Sequence, residues 1–201
     1  MRRVGLAVAV GIGVYALRGR RSLLRWGATD AEATGPAPGD DVIPHPVSVS
    51  TMAVTYDASP AEIWPWLVQM GTGRAGWYSW DLIDNYGRPS AEEILPEHQA
   101  IAVGELLPAS RSGARAFEVV ALSAERYLVL RARWGAAVAI DSTWSLHLRQ
   151  RRGGGTRLVV RARTTGRPLP LVRAAEWVFH EPGHLLMQIR QFRGLRVRVD
   201  R

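Results

Sequence analysis

Apolar residues recur every second position in some stretches of this chain and every third or fourth in others, and that rhythm lays out its elements. Ser48–Asp57, SVSTMAVTYD, alternates small polar with β-favouring residues and reads as a first strand. Ser59 then stands as an N-cap with Pro60 at the first helical position. Ile63, Trp66, Leu67 and Met70 follow at helical spacing, so a helix runs from about Pro60 to Met70. Pro65 inside it lacks an N–H and is expected to kink it. After the aromatic stretch WYSWDLIDNYG (Trp77–Gly87), the pattern turns to β. Strands are expected at Ala102–Leu107, Ala116–Leu122, Arg126–Trp134, Val138–Arg149 and Thr156–Thr165, with RRGGGT (Arg151–Thr156) as a hairpin tip. In the fourth of these, Val138, Ile140, Ser142, Trp144, Leu146 and Leu148 share one face, and Asp141, Thr143, Ser145, His147 and Arg149 the other. That predicts an antiparallel sheet with one face on the core and one in water.

The last segment returns to a helical period. Leu185, Ile189, Phe192 and Leu195 form one side and Arg190, Arg193 and Arg196 the other, giving a long C-terminal helix beginning at Pro182. The order is strand, helix, aromatic segment, run of antiparallel strands, long helix. It describes an α+β architecture, a curved sheet folded around one helix with an apolar cleft between them. The domain is expected over residues 48–201, preceded by a strap or linker at 25–47, whose AEATGPAPGDDVIPHPV (31–47) carries four prolines and two glycines.

Residues 1–24 are a separate matter. Val4–Leu17, VGLAVAVGIGVYAL, is uncharged for 14 residues between Arg2-Arg3 and Arg18, Arg20 and Arg21. A full membrane span takes about 20 apolar residues. The run reads either as a marginal membrane anchor or as a surface-lying helix outside the domain. Gly5, Ala9 and Gly13 fall four apart, a row that would suit helix packing in a bilayer. The denser arginines after the run would leave the folded part in the cytoplasm, tethered to the inner membrane. The run is followed directly by RGRRSLLRWG, a poor substrate for a signal peptidase, so cleavage is the least expected outcome.

Composition removes several chemistries. With no cysteine among 201 residues there are no disulfides, no Cys-ligated metals and no thiol nucleophile. All 26 basic residues are arginine, which removes lysine Schiff bases and the Walker-type phosphate lysine. The net charge of +8 divides into +5 over residues 1–30, −9 over 31–110 and +12 over 111–201. A nucleic-acid binder with a uniformly basic face would not divide this way, and none is expected as a partner. Arg131, Arg133, Arg149, Arg157, Arg161 and Arg163 alternate on strands and are expected to share the sheet's outward face. The row reads as a solvated surface, or as one that meets anionic lipid headgroups.

Two motifs spell chemistry that their context denies. His180-Glu181-Pro182-Gly183-His184 fits H-E-x-x-H, in which two histidines on one helix face hold zinc. Pro182 disfavours α geometry at Glu181, so His180 is expected outside the helix and His184 inside its first turn, with the rings apart. No metal is expected. GTGRAG (Gly71–Gly76) spells G-x-G-x-x-G, but it follows a helix instead of a strand, so no dinucleotide cofactor is expected.

Four stretches point further: RWGATDAEATGPAPGDD (Arg25–Asp41), WPWLVQMGTGRAGWYSWDLIDN (Trp64–Asn85), ILPEHQAIAVGE (Ile94–Glu105) and EPGHLLMQIRQFRGLR (Glu181–Arg196). In them the chain resembles the START-like superfamily, also called SRPBCC or polyketide cyclase/dehydrase-like, and within it an uncharacterised bacterial subgroup. The likeness covers residues 25 to 200. It implies the helix-grip fold and a large apolar cavity between sheet and C-terminal helix. Members bind lipids, sterols, plant hormones or polyketides, and a minority catalyse cyclisation or dehydration. They share no catalytic residue set, so no role is carried over.

The residues themselves nominate a site. Trp66, Trp77, Trp80, Trp134 and Trp144 lie on elements that should face the core, and with Tyr78 and His184 they are the candidate ligand-binding residues. Asp81, Asp84, His98 and His184 are the acid–base candidates, with Asp81 and His184 foremost. The expected function is binding of an apolar small molecule, a lipid or polyketide-like ligand, with a membrane surface as a second partner. The alternative is a cyclase or dehydratase working through cavity Asp and His groups.

Overall fold

The computed structural model describes residues 19–135 and 137–200. The apolar run 4–17 lies outside the described residues, and within them no helix is long and apolar enough to cross a membrane.

Six antiparallel strands form one sheet: β1 (Ser48–Tyr56), β2 (Leu106–Pro108), β3 (Ala116–Ser123), β4 (Tyr127–Trp134), β5 (Ala139–Gln150) and β6 (Thr156–Arg167), in the order β1-β6-β5-β4-β3-β2. The strand expected over Ala102–Leu107 shrinks to β2, because Ala102–Glu105 forms a turn whose Gly104 N–H bonds back to Val119. β5 and β6 pair from Ala139↔Arg167 to Gln150↔Thr156, and β1 returns to the far side of β6. The helices in chain order are α1 (Arg20–Leu23), α2 (Asp30–Thr34), α3 (Pro60–Val68), α4 (Asp81–Asp84), α5 (Leu169–Ala175) and α6 (Glu181–Val199). Ser59 and Glu62 cap α3 reciprocally, satisfying two of its orphan N–H groups.

One face of the sheet carries Met52, Leu128, Leu130, Leu146, Leu158 and Val160 into a core closed by α6 through Phe192 and Leu195. The Tyr56 hydroxyl donates to the Phe192 carbonyl at 3.0 Å and fixes the helix to the first strand. This is the helix-grip arrangement, a sheet bearing on a long C-terminal helix. Gly194 makes the close approach possible: a Cβ there would sit 2.0 Å from the Tyr78 carbonyl oxygen.

The other face is not the solvated one the alternation predicted. Thr143, Ser145 and His147 on β5 are all buried. Residues 24–43 cover that face. Leu24 and Trp26 accept backbone bonds from Thr51 and Ala53 along the free edge of β1. Farther on, Arg157, Arg161 and Arg163 of the arginine row are bound into the strap, whereas Arg131 pairs with Asp141 and Arg133 with Glu118 on the sheet itself. Arg157 meets Glu32 at 2.9 Å, Arg161 meets Asp40 at 2.6 Å and the Glu32 carbonyl at 2.6 Å, and Arg163 reaches Asp40 and the Ile43 carbonyl. Arg157 holds the Glu32 carboxyl down to about 2. Alternation cannot distinguish water from a polar strap, since both demand polar residues on that face. The −9 segment is thus partly consumed by charges of the +12 segment.

The C-terminal helix also differs from expectation. The chain is already helical at α5 and passes through one π-helical turn, Glu176–His180, directly into α6. Pro182 stands in the first turn of α6, where a missing N–H is tolerated, and the widened turn before it makes room for its ring. His180 is therefore on the helical path, and its ring stacks on His184 with centroids 5.9 Å apart and planes 10° from parallel. Glu181, the residue that would activate water in H-E-x-x-H, points elsewhere. It takes a bidentate Arg20 at 2.7 and 2.6 Å and the Ser48 hydroxyl at 2.7 Å.

Candidate functional site

A cavity of about 210 Å³ lies between the core face of the sheet, the aromatic segment and the N-terminal half of α6. Its sheet side is an aromatic wall. Phe117 on β3 contacts Trp134 on β4 (5.6 Å), Trp144 on β5 (5.7 Å) and Trp77 (5.5 Å), and Trp77 contacts Trp144 (5.7 Å). These tilted and edge-to-face pairs are the arrangements ring quadrupoles favour.

The helix side is polar and ordered. Trp144 Nε1 donates to Gln188 (3.1 Å), Gln188 donates to Gln191 (2.8 Å), and Gln191 donates to the Trp77 carbonyl (3.0 Å). Both glutamines are buried, and this relay locks α6 to the aromatic wall. His180, 43% exposed, stands at the rim with Nδ1 at 3.0 Å from the buried Glu176. Burial alone would lower its pKa, but the Glu176 bond and charge outweigh that and raise it.

Two groups facing the same cavity are different in kind. His184 Nε2 is shut from solvent and has no hydrogen-bond partner. Burial, with His180 beside it, pushes this imidazole down to about 3, so it is neutral. Both carboxylate oxygens of Asp84 are likewise shut off and unpartnered. Ser79 is adjacent: its hydroxyl donates to the Met187 carbonyl at 3.0 Å, and with Asp84's own N–H it lies close enough to temper the rise of this carboxyl. Burial, then the charge of Asp81, pushes Asp84 up to about 6.

The structure brings together only part of the set nominated by sequence. Trp77, Trp134, Trp144 and His184 line the cavity. Trp66 and Tyr78 are core residues packed edge to face, with the Tyr78 hydroxyl taking a bond from Gln69. Trp80, expected to face the core, is 50% exposed with the Arg190 guanidinium 5.3 Å from its ring. It precedes the single turn α4, and that turn rotates Asp84 inward while leaving Trp80 outside. Asp81, on the same turn, is tied to the Ser90 hydroxyl and does not line the cavity. His98 closes a short 3-10 turn, Pro96–His98, also away from it. Phe117, His180, Gln188 and Gln191 were not foreseen. The glutamines had a signal, polar residues three apart inside the apolar stripe of α6; Phe117 on its strand had none. In GTGRAG, Gly71 and Gly76 bond to each other in both directions at 3.0 Å, and Arg74 turns back to Glu105 and the Val68 carbonyl. The loop is closed on itself.

No family model matches the chain, and no curated protein does. Among solved structures, the chain is similar to a hypothetical protein, jhp0584, of Helicobacter pylori, with a TM-score of 0.51 and 10% identity over 82% of this chain and 95% of that one. It is also similar to protein MLL2253 of Mesorhizobium loti (TM-score 0.48, 18% identity, 76% and 97% of the two chains). Protein CV1439 of Chromobacterium violaceum follows (0.47, 14%, 76% and 97%). At such identities the likeness concerns the fold alone.

Proposed function

We infer that the protein binds an apolar small molecule in this cavity, as its resemblance to START-like proteins implies. One observation carries the reading: an aromatic wall of Trp77, Phe117, Trp134 and Trp144 faces the ordered Gln188–Gln191 pair of the C-terminal helix across a cavity of about 210 Å³. A cavity of about 210 Å³ falls below the roughly 300–1,000 Å³ of drug-sized sites, so it suits a compact molecule better than a long acyl chain. Native mass spectrometry of the purified chain is expected to find a co-purified small molecule. Ala162→Phe, which fills the cavity from its β6 side, is expected to exclude it. A ligand retained by that variant would place binding elsewhere and end the proposal.

A second reading is supported by Asp84 alone. A carboxyl held near 6 on a cavity that a neutral imidazole also lines is suited to moving protons at neutral pH, as a cyclase or dehydratase of this superfamily would require. In an enzyme Asp84→Asn binds substrate but loses turnover, whereas in a carrier it alters affinity only. Tethering at a membrane through residues 4–17 belongs to the same proposal. Removing residues 1–17, a cut that spares the Arg20–Glu181 pair, is expected to shift the protein from the membrane fraction to the supernatant.

A further inference from the structure

The helix that closes the cavity has its polarity inverted along its first half. It buries Glu176, Glu181, Gln188 and Gln191 against the domain and turns Val178, Phe179 and Leu186 outward, with Phe179 75% exposed. On the neighbouring α4 and its lead-in, Trp80, Leu82 and Ile83 are exposed as well, Leu82 at 83%. Each of these six apolar residues lies within two positions of a residue that lines the cavity: Ser79, Asp84, His180 or Met187. The Ser79 bond to the Met187 carbonyl and the Arg190 guanidinium over the Trp80 ring join the two elements. The apolar residues therefore rim the cavity as one patch, and a patch of this kind marks a partner.

The charges around the patch select that partner. Glu176 and Glu181, the only acids of residues 169–199, are buried, and Asp81 is tied to Ser90. Arg173 and Arg190, by contrast, are exposed. A second copy meeting this face across a two-fold axis would set these arginines against their own counterparts. An anionic lipid surface attracts them instead, and arginine keeps its head at the phosphates while its stem covers apolar surface. Trp80, half exposed beneath Arg190, is the residue type that sits at headgroup level. The connection to the apolar N-terminal run agrees. Arg20, three residues after Leu17, is bonded to Glu181 in this helix, so the run joins the domain beside the patch. We propose that the face formed by Trp80, Leu82, Ile83, Val178, Phe179 and Leu186 lies on an anionic lipid bilayer, with the cavity opening toward the lipid. This rests on the tethering reading above and extends it from residues 4–17 to the folded domain.

The chain has no cysteine, so one introduced thiol places a reporter at a chosen site of the full-length protein. Leu82→Cys, Phe179→Cys and Leu186→Cys are each labelled with an environment-sensitive fluorophore, and Arg152→Cys at the β5–β6 hairpin tip serves as control. On adding vesicles of phosphatidylcholine and phosphatidylglycerol, emission from the first three is expected to shift to the blue and to be quenched by bromine-labelled acyl chains. Emission from position 152 should not change. Phe179→Glu, with Leu82→Glu as a second variant, is expected to lower vesicle affinity about 10-fold, the effect of withholding one large apolar side chain, with the thermal unfolding curve unaltered. Vesicle binding without change at the three probes would overturn the docking face and leave tethering by residues 4–17 standing, and so would undiminished affinity in both glutamate variants. No vesicle binding by the full chain would overturn both. Probes already shielded before vesicles are added would overturn the lipid assignment in favour of a second copy or of this chain's own N-terminal run. Cavity binding is read separately, by the co-purified molecule.

Discussion

Gly194→Ala sets two well-known effects against each other. In a helix interior alanine is favoured over glycine by about 0.8–1.0 kcal/mol, so propensity alone predicts a more stable protein. At position 194, however, the new Cβ would lie 2.0 Å from the Tyr78 carbonyl oxygen and 3.1 Å from the Tyr78 Cβ. Relief requires a shift of more than about 1 Å to approach ordinary van der Waals separation. Neither partner yields freely. Tyr78 is wedged against Trp66 and held by Gln69, and α6 is held on the neighbouring turn by the Tyr56–Phe192 bond. Overpacking of this kind costs typically 1–3 kcal/mol, and here backbone must move, so the upper half of that range applies. The net loss of about 1–2 kcal/mol corresponds to a Tm lowered by about 2–8 °C for a chain of this size. Gly183 in the same helix supplies the control, since a Cβ there meets nothing within 4 Å. Gly183→Ala is expected to raise Tm by up to about 2–4 °C. Thermal unfolding followed by circular dichroism reads both. If Gly194→Ala is as stable as the unmodified protein or more so, the helix does not bear on the Tyr78 backbone as described. Because Trp77, beside Tyr78, forms part of the cavity wall and accepts from Gln191, the same substitution is expected to weaken ligand binding.

Other expectations follow from the covered face and the cavity. His147 is buried beneath the strap and its pKa is pushed to about 4, chiefly by burial, then by Arg149 and Arg161. Between 6.5 and 4 the unfolded chain binds a proton that the folded protein refuses, so stability falls as pH falls through that window. The loss is about 2–3 kcal/mol by pH 4.5 from this residue, and urea unfolding of His147→Gln should show a shallower decline. Asp40→Asn leaves Arg161 and Arg163 without their shared carboxylate. Arg161 keeps Thr51 and the Glu32 carbonyl, so the cost should fall below the 3–5 kcal/mol of an orphaned buried charge, at about 2 kcal/mol, and limited proteolysis should cut faster within residues 31–47. Asp84→Asn is expected to gain stability relative to the unmodified protein above pH 6, where the raised carboxyl is ionised without a partner, and to lose that advantage below pH 4. Asp81→Asn weakens the Ser90 bond and removes the charge that helps raise Asp84, so it should change ligand affinity less than Asp84→Asn does; a loss comparable to that of Asp84→Asn would contradict the placement of the two carboxylates.

Local patterns were the legible part. The capped start of α3, the alternation in β5 and β6, and the apolar stripe of α6 each concern residues within a few positions of one another. Steric and hydrogen-bonding preferences at that range decide the element without help from the rest of the chain. Trp77, Trp134 and Trp144 were legible as cavity residues for the same reason, since strand or segment phase placed them on the apolar side. Trp80 and Asp81 were misjudged because α4 is one turn long, too short for period to say which face it presents. Asp84, three residues on, is carried inward by how that turn docks.

What the sequence alone determined here is the order of the sheet strands, α3 and the body of α6, and which face of each is apolar, since these follow from short-range periodicity. The strap over Arg157, Arg161 and Arg163, the stacking of His180 on His184 beside a π-helical turn, and the burial of Asp84 and His184 behind the cavity lining were decided by tertiary packing. Each depends on pairs far apart in the chain, such as Glu32 with Arg157, Arg20 with Glu181, and Gln188 with Trp144. Charge and polarity advertise that a residue needs a partner, but only the folded arrangement selects which partner it meets, or leaves it with none.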